Sequence, residues 1–214
     1  MPKATPQPYP PEPWYLGGGM LVSVFLVDRS ALSALPDGRH PITIGGRAIV
    51  GVAFTGYTPG GVLAYDELLV AVPSLGRGGL RITIPQIWVD SPASQAGGRA
   101  LWGIPKQLGV FDRTERGAHV TVRMRDGDGP VAEIRAIRGL PLLPGMRQLA
   151  LPILQVLDSR RILSHNRVIG RITGLRASWT INPAGPLTWL SGHRPLMNVA
   201  IRDASIIFGM DVER

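Results

Sequence analysis

The sequence predicts a mainly β fold of the α+β class, an antiparallel sheet accompanied by a few short helices. Three observations carry this expectation. Short apolar segments recur along the chain, bounded by Gly and Pro, of which there are 27 and 20. The stretch HVTVRMR alternates polar and apolar residues with period two, the mark of a strand with one solvated face. Segments with helical spacing are few, and Gly or Pro interrupts most of them. At 214 residues the chain suffices for one large domain with a real core.

Taken in order, residues 1–13 hold six prolines. Proline fixes φ and donates no backbone hydrogen bond, so an extended arm is expected to precede a single domain at 14–214. Strands are expected at 19–27, 48–57, 62–72, 80–89, 117–124, 130–137, 168–181 and 198–210. Gly76–Gly79 reads as a hairpin turn between two of them. Three segments read as helical. DRSALSALP opens with Asp28 as an N-cap and stops at Pro36. SPASQAGGRALWG has Ser91 as N-cap and Pro92 at the first helical position, weakened by its glycines. RQLALPILQVLDSRR reads as a buried helix interrupted at Pro152.

Composition excludes several function classes. There are no cysteines, hence no disulfides, thiolate metal sites or cysteine nucleophiles. His40, His119, His165 and His193 show no metal-ligand spacing, so neither a metal nor a cofactor is expected. No P-loop, G-x-G-x-x-G or G-x-S-x-G motif occurs. The net charge of +8 favours anions, but the arginines are dispersed and only Arg160 and Arg161 are adjacent, so no nucleic-acid partner is expected. No apolar run reaches about 18 residues, and no membrane association is expected. The stretch MPKATPQPYPPEPWYL lacks an apolar signal core, which predicts a cytoplasmic location.

One residue stands out chemically. The chain has only two lysines, Lys3 in the arm and Lys106 inside the apolar run LWGIPKQLGVF, where arginine serves nearly everywhere else. A snorkelling surface lysine whose stem lies on Trp102 or Leu108 would explain it. So would a position that needs an amine, because a desolvated lysine loses its proton and attacks carbonyls while arginine cannot. Glu67 is the one glutamate inside an apolar strand. It reads either as a solvated strand position or as a buried acid or base. In the second case Asp66 points to the opposite sheet face.

The stretch IWVDSPASQAGGRALWGIPKQLGVF resembles the central motif of the acetoacetate decarboxylase superfamily. An apolar strand and small residues are followed by Gly-Arg and then Pro-Lys. YDELLVAVP, YPPEPWYL and FLVDRSALSALP also fit. The resemblance implies a cone-like barrel around an apolar cavity, usually assembled as a homo-oligomer, with Lys106 forming an imine with a small-molecule carbonyl substrate. It further implies that Glu67 moves protons, that Trp102 and Phe25 wall the pocket, and that Gln107 and Arg99 support the lysine.

This chain departs from the decarboxylase in three places. Gln107 replaces the second lysine that follows the nucleophile. Phe25 stands at or near the place of the arginine that grips the substrate carboxylate. The upstream of two pocket glutamates falls near Val52, where no acid is at hand. With no neighbouring lysine, a lowered Lys106 pKa would depend on burial or on Arg99. The expected function is thus a cofactor-independent, Schiff-base-forming enzyme acting on a keto acid or related carbonyl compound. It would be a decarboxylase-like lyase or an aldolase or dehydratase, with a substrate larger or less anionic than acetoacetate. The alternative is a non-catalytic β-cavity protein that binds a small apolar ligand.

Overall fold

The computed structural model describes residues 9–214; the first eight residues of the proline-rich arm lie outside them. The strands are β1 (Trp14–Val27), the short β2 (His40–Pro41) and β3 (Thr43–Ile44), β4 (Arg47–Thr58), β5 (Tyr65–Leu75) and β6 (Arg81–Val89). Helix α1 (Pro92–Trp102) follows, then β7 (Lys106–Leu108), β8 (Val110–Arg116), β9 (His119–Asp126), β10 (Gly129–Pro141), β11 (Arg147–Leu157), β12 (Arg160–Ile181) and β13 (Met197–Glu213). They form one 13-stranded sheet in which β11, β6, β5, β4, β1, β13, β12, β10, β9 and β8 lie side by side.

The sheet curls back on itself. Strand β11 pairs with β12 along an antiparallel ladder from Arg147↔Gly170 to Leu157↔Arg160. It also meets β6 through a single parallel pair, Ile153↔Ile82. Strand β12 is long enough to serve two layers. Its first half closes the curl beside β11, and its second half pairs with β10 from Thr173 to Ile181. The central strands are consequently buried on both faces. Residues Leu21, Phe25, Val50, Val52, Phe54, Leu68 and Val70 fill an outer core against β9, β10 and the end of β12. Residues from the other face, among them Leu16, Tyr65, Ile84 and Ile87, belong with Trp102 of the helix that follows β6 to a second cluster inside the curl. Burial on two faces is why these segments read as near-continuous apolar runs.

All eight strands expected from the sequence are present, and Gly76–Gly79 does form the β5–β6 hairpin turn. A buried guanidinium stitches that turn. Arg39 Nε donates to Ser74 Oγ at 3.1 Å and Nη1 to Arg77 O at 2.8 Å. Two helical expectations are corrected. Residues Arg29–Ala31 and Pro36–Gly38 make separate 3₁₀ turns, and Asp28 makes no capping bond. RQLALPILQVL is strand β11. Its odd residues Leu149, Leu151 and Ile153 face the interior of the curl with period two. Pro152 sits opposite His165 in a ladder whose register runs without a shift.

Candidate active site

The segment between β6 and β7 is built to bring one amine inward. Ser91 caps α1 by accepting from Ser94 N at 3.2 Å, and Pro92 occupies the first turn, where no N–H is missed. Gly103 ends the helix in the left-handed conformation, φ 63°, and Ile104 N returns to Gly98 O at 3.0 Å. Lys106 N then donates to Ile104 O at 2.8 Å, a three-residue turn centred on Pro105 whose fixed φ suits it. Strand β7 docks in parallel on β6 with Lys106 opposite Ile87, so that both side chains enter the curl.

The Gly-Arg part of the motif gains a physical role. A Cβ on Gly98 would lie 2.7 Å from Lys106 Cδ and 2.9 Å from Cε, so glycine leaves the channel through which the lysine stem runs. A Cβ on Gly97 would lie 2.5 Å from the Trp14 ring. Arg99 Nε donates to the backbone oxygen of Lys106 at 2.6 Å.

Lys106 is 4% exposed and Glu67 3%. Lys106 Nζ spends its three donors on Glu67 Oε2 at 2.9 Å, Ser94 Oγ at 2.8 Å and Tyr65 Oη at 3.2 Å. Tyr57 Oη donates to Glu67 Oε1 at 3.1 Å. Tyr65 and Glu67 are two apart on β5, and Tyr57 lies across from Tyr65 on β4, so period-two geometry puts all three on the inner face. Asp66 points to the opposite face, where Arg113 Nε meets it at 2.7 Å. The inner face surrounds a cavity of about 210 Å³ whose wall includes Trp14, Trp102, Leu69, Ile84, Leu151 and Phe208. Trp102 stands edge-on to Trp14, centroids 4.8 Å apart, and its Nε1 donates to Glu12 Oε2 at 2.7 Å.

The electrostatics differ from expectation. Burial by itself depresses an ammonium, but the Glu67 carboxylate, helped by the Tyr65 hydroxyl, outweighs it, and the Lys106 pKa lies above the ordinary lysine value. Burial also raises Tyr65, opposed by Lys106 and reinforced by Glu67, leaving it pushed up to about 12. Tyr57 is raised well above its usual value by burial and by Glu67. Both tyrosines are therefore protonated donors across the neutral range. In Glu67→Gln the main raising influence is gone and only the weaker one of Tyr65 opposes burial. The Lys106 amine is expected to titrate below an ordinary lysine in that variant, the reverse of its direction in the unmodified protein. Carbon-detected NMR of reductively methylated Lys106 reads the sign directly; an unchanged or higher pKa in the variant would refute Glu67 as its cause.

Three expected supports are displaced. Phe25 is fully buried in the outer core, 6.0 Å from the Trp179 ring centroid, and does not wall the cavity; Val22 of the same strand does. Gln107 follows the inward Lys106 and is therefore turned outward and exposed. Arg99 is exposed and holds the lysine's backbone, so it supplies no cation beside Nζ. Val52 likewise faces the outer core, and its neighbours Gly51 and Ala53 line the cavity, neither of them acidic. Sequence reasoning missed Tyr57, Tyr65, Ser94 and Trp14. The i, i+2 placement of Tyr65 and Glu67 was the available signal for one of them. Among the described residues no cluster of three or more His, Asp or Glu is arranged to hold a metal ion.

The acetoacetate decarboxylase family model matches residues 1–153, well over half of the chain. The chain belongs to the acetoacetate decarboxylase family. No match is found among curated proteins. Solved structures agree on the fold. An acetoacetate decarboxylase from Legionella pneumophila is 16% identical with a TM-score of 0.70, covering 99% of this chain and 92% of that one. The enduracididine biosynthesis enzyme MppR, bound to the condensation product of pyruvate and imidazole 4-carboxaldehyde, is 19% identical with a TM-score of 0.65, covering 95% and 89%. An acetoacetate decarboxylase-like enzyme from Sphingomonas wittichii RW1 is 15% identical with a TM-score of 0.66, covering 94% and 92%.

Proposed function

We propose that this chain is a cofactor-independent enzyme whose Lys106 amine forms an imine with the carbonyl group of a small-molecule substrate. The observation that carries this reading is the buried Lys106–Glu67 contact at 2.9 Å inside an otherwise apolar cavity. The ammonium passes a proton to Glu67, and the neutral amine attacks the carbonyl carbon. The attacking nitrogen gives one proton to the new alkoxide, and the resulting carbinolamine hydroxyl takes the proton held by Glu67 and leaves as water, giving an iminium beside the restored carboxylate. Positive charge is conserved at the nitrogen, so the site that holds the ammonium also holds the iminium.

The iminium draws electrons from an adjacent bond. If that bond joins a carboxylate, carbon dioxide leaves. If it is a Cα–H bond, Glu67 takes the proton, and the resulting enamine attacks a second carbonyl in the aldol and dehydration branch. Hydrolysis returns the free lysine. The likeness to MppR, solved with a condensation product, supports the second branch. Release of carbon dioxide from acetoacetate is expected to be slow.

A second reading rests on the raised Lys106 pKa, since a lysine held as ammonium suits a non-catalytic cavity protein that binds a small apolar ligand. Borohydride reduction with a panel of ketones, aldehydes and keto acids separates the two. Because Lys3 is the only other lysine, a mass increment localised to Lys106 and absent from Lys106→Ala is unambiguous. That increment is the expected result, and its absence with every carbonyl would favour the second reading.

A further inference from the structure

We infer that the cavity is built for a neutral carbonyl compound with an aliphatic tail, and that it selects against substrates carrying a carboxylate. The inference rests on the imine reading for its chemistry and goes beyond it in naming the substrate class. Among the described residues, Lys106 and Glu67 are the only charged ones that line the cavity, and they neutralise each other. A substrate carboxylate entering this space needs a donor or a cation, and each candidate is already committed.

Lys106 Nζ has its three donors filled, and once it becomes an iminium it retains one N–H, which faces Glu67. The Tyr57 hydroxyl donates to Glu67, and the Tyr65 hydroxyl accepts from Lys106 and is turned to Glu67 Oε2 at 3.5 Å. Trp14 Nε1 donates to Pro10 O at 2.8 Å and Trp102 Nε1 to Glu12. Asn166, the remaining polar residue of the wall, gives Nδ2 to Leu151 O at 2.9 Å and to Ser164, and its Oδ1 accepts from Gly209 N at 2.7 Å. A second carboxylate would thus lie uncompensated near Glu67, an arrangement that low-dielectric surroundings penalise heavily. Away from the amine the wall is aliphatic, with Val22, Leu69, Ile82, Ile84, Leu151 and Ile153. Such a surface favours every methylene it takes out of water. A volume of about 210 Å³ is below the usual range for drug-sized ligands, which points to a compact chain.

The test compares a seven-carbon methyl ketone with the keto acid of the same length bearing a terminal carboxylate. Both are trapped on the unmodified protein with borohydride, and thermal melting is recorded in parallel without reductant. The expected result is an adduct at Lys106 at least tenfold more abundant with the ketone, and a rise in Tm with the ketone alone. Equal or greater trapping by the keto acid overturns the inference and leaves the imine reading standing. If neither compound is trapped, the imine reading is left to the wider carbonyl panel and melting decides the substrate class. Stabilisation by the ketone but not the acid upholds the substrate class, and equal shifts, including none, overturn it.

Discussion

Replacing Lys106 with Met is expected to destabilise the protein by about 3–5 kcal/mol at neutral pH, because it strands a buried carboxylate whose counter-ion is gone. Glu67 would retain only hydroxyl donors from Tyr57 and Tyr65, at 3.1 and 3.5 Å. Lowering the pH lets the orphaned carboxyl take up a proton, so the deficit shrinks in acid. The double variant Lys106→Met with Glu67→Leu should recover to within about 1 kcal/mol of the unmodified protein or exceed it, since apolar pairs of similar volume often match a buried ion pair. In the unmodified protein the pH dependence has the same sign but falls at the alkaline end. The Lys106 pKa is raised on folding, so its contribution is complete below the ordinary lysine pKa and is lost as pH climbs through the raised value. Urea titrations of the three proteins at acidic and neutral pH, and of the unmodified protein at alkaline pH as well, measure all of this. If the single and double variants were equally stable, the pair would not be coupled as the geometry requires.

Much of the fold is legible because burial on two faces and alternation on one leave different apolar patterns. HVTVRMR became β9 with Val120, Val122 and Met124 inward, as its period demands. Strand β11 was misread because LALPILQVL has apolar residues on both parities, and a short apolar run suits a buried helix as well as a strand. What decides the matter is pairing with β12, which follows after only Asp158 and Ser159, a tight hairpin whose turn lies inside the segment read as helical.

The site was legible where chemistry singles out a residue and illegible where face or docking decides. Lys106 is rare by type and Glu67 is isolated in an apolar strand, so both could be named from composition and context. Phe25 and Val52 were assigned to the pocket, yet each lies one residue from a position that faces the other way. In a strand a one-residue slip exchanges the faces, so alignment by resemblance alone cannot place such residues. Ser94 acquires its role only when the turn after α1 folds Lys106 back beside it, and Trp14 only when β1 packs against α1, a segment about 80 residues further along. The glycines of α1 were read as helix weakness. In the structure they are the clearance that lets two large side chains pass.

That clearance makes Gly98→Ala the sharpest probe of the chemistry. In an exposed helix the change would stabilise by about 1 kcal/mol, because alanine favours helix and glycine does not. At position 98 the new methyl would meet the Lys106 stem at Cγ, Cδ and Cε, at 3.2, 2.7 and 2.9 Å. The stem is flexible, so it can yield, but its ammonium is anchored on Glu67, Ser94 and Tyr65, and yielding displaces Nζ from them. Displacement of a reacting atom by about 1 Å costs on the order of 100-fold in rate. Imine trapping in Gly98→Ala is therefore expected to slow by about that factor while the melting temperature changes little. Gly97→Ala supplies the contrast. There the methyl would meet the Trp14 indole at 2.5 Å, a rigid ring that cannot rotate away within a packed wall, so stability should fall first and trapping only in consequence. Melting curves and trapping rates for the two variants are the measurement. Wild-type trapping by Gly98→Ala would show that the lysine does not need the channel glycine leaves for it, and would detach the Gly-Arg motif from catalysis.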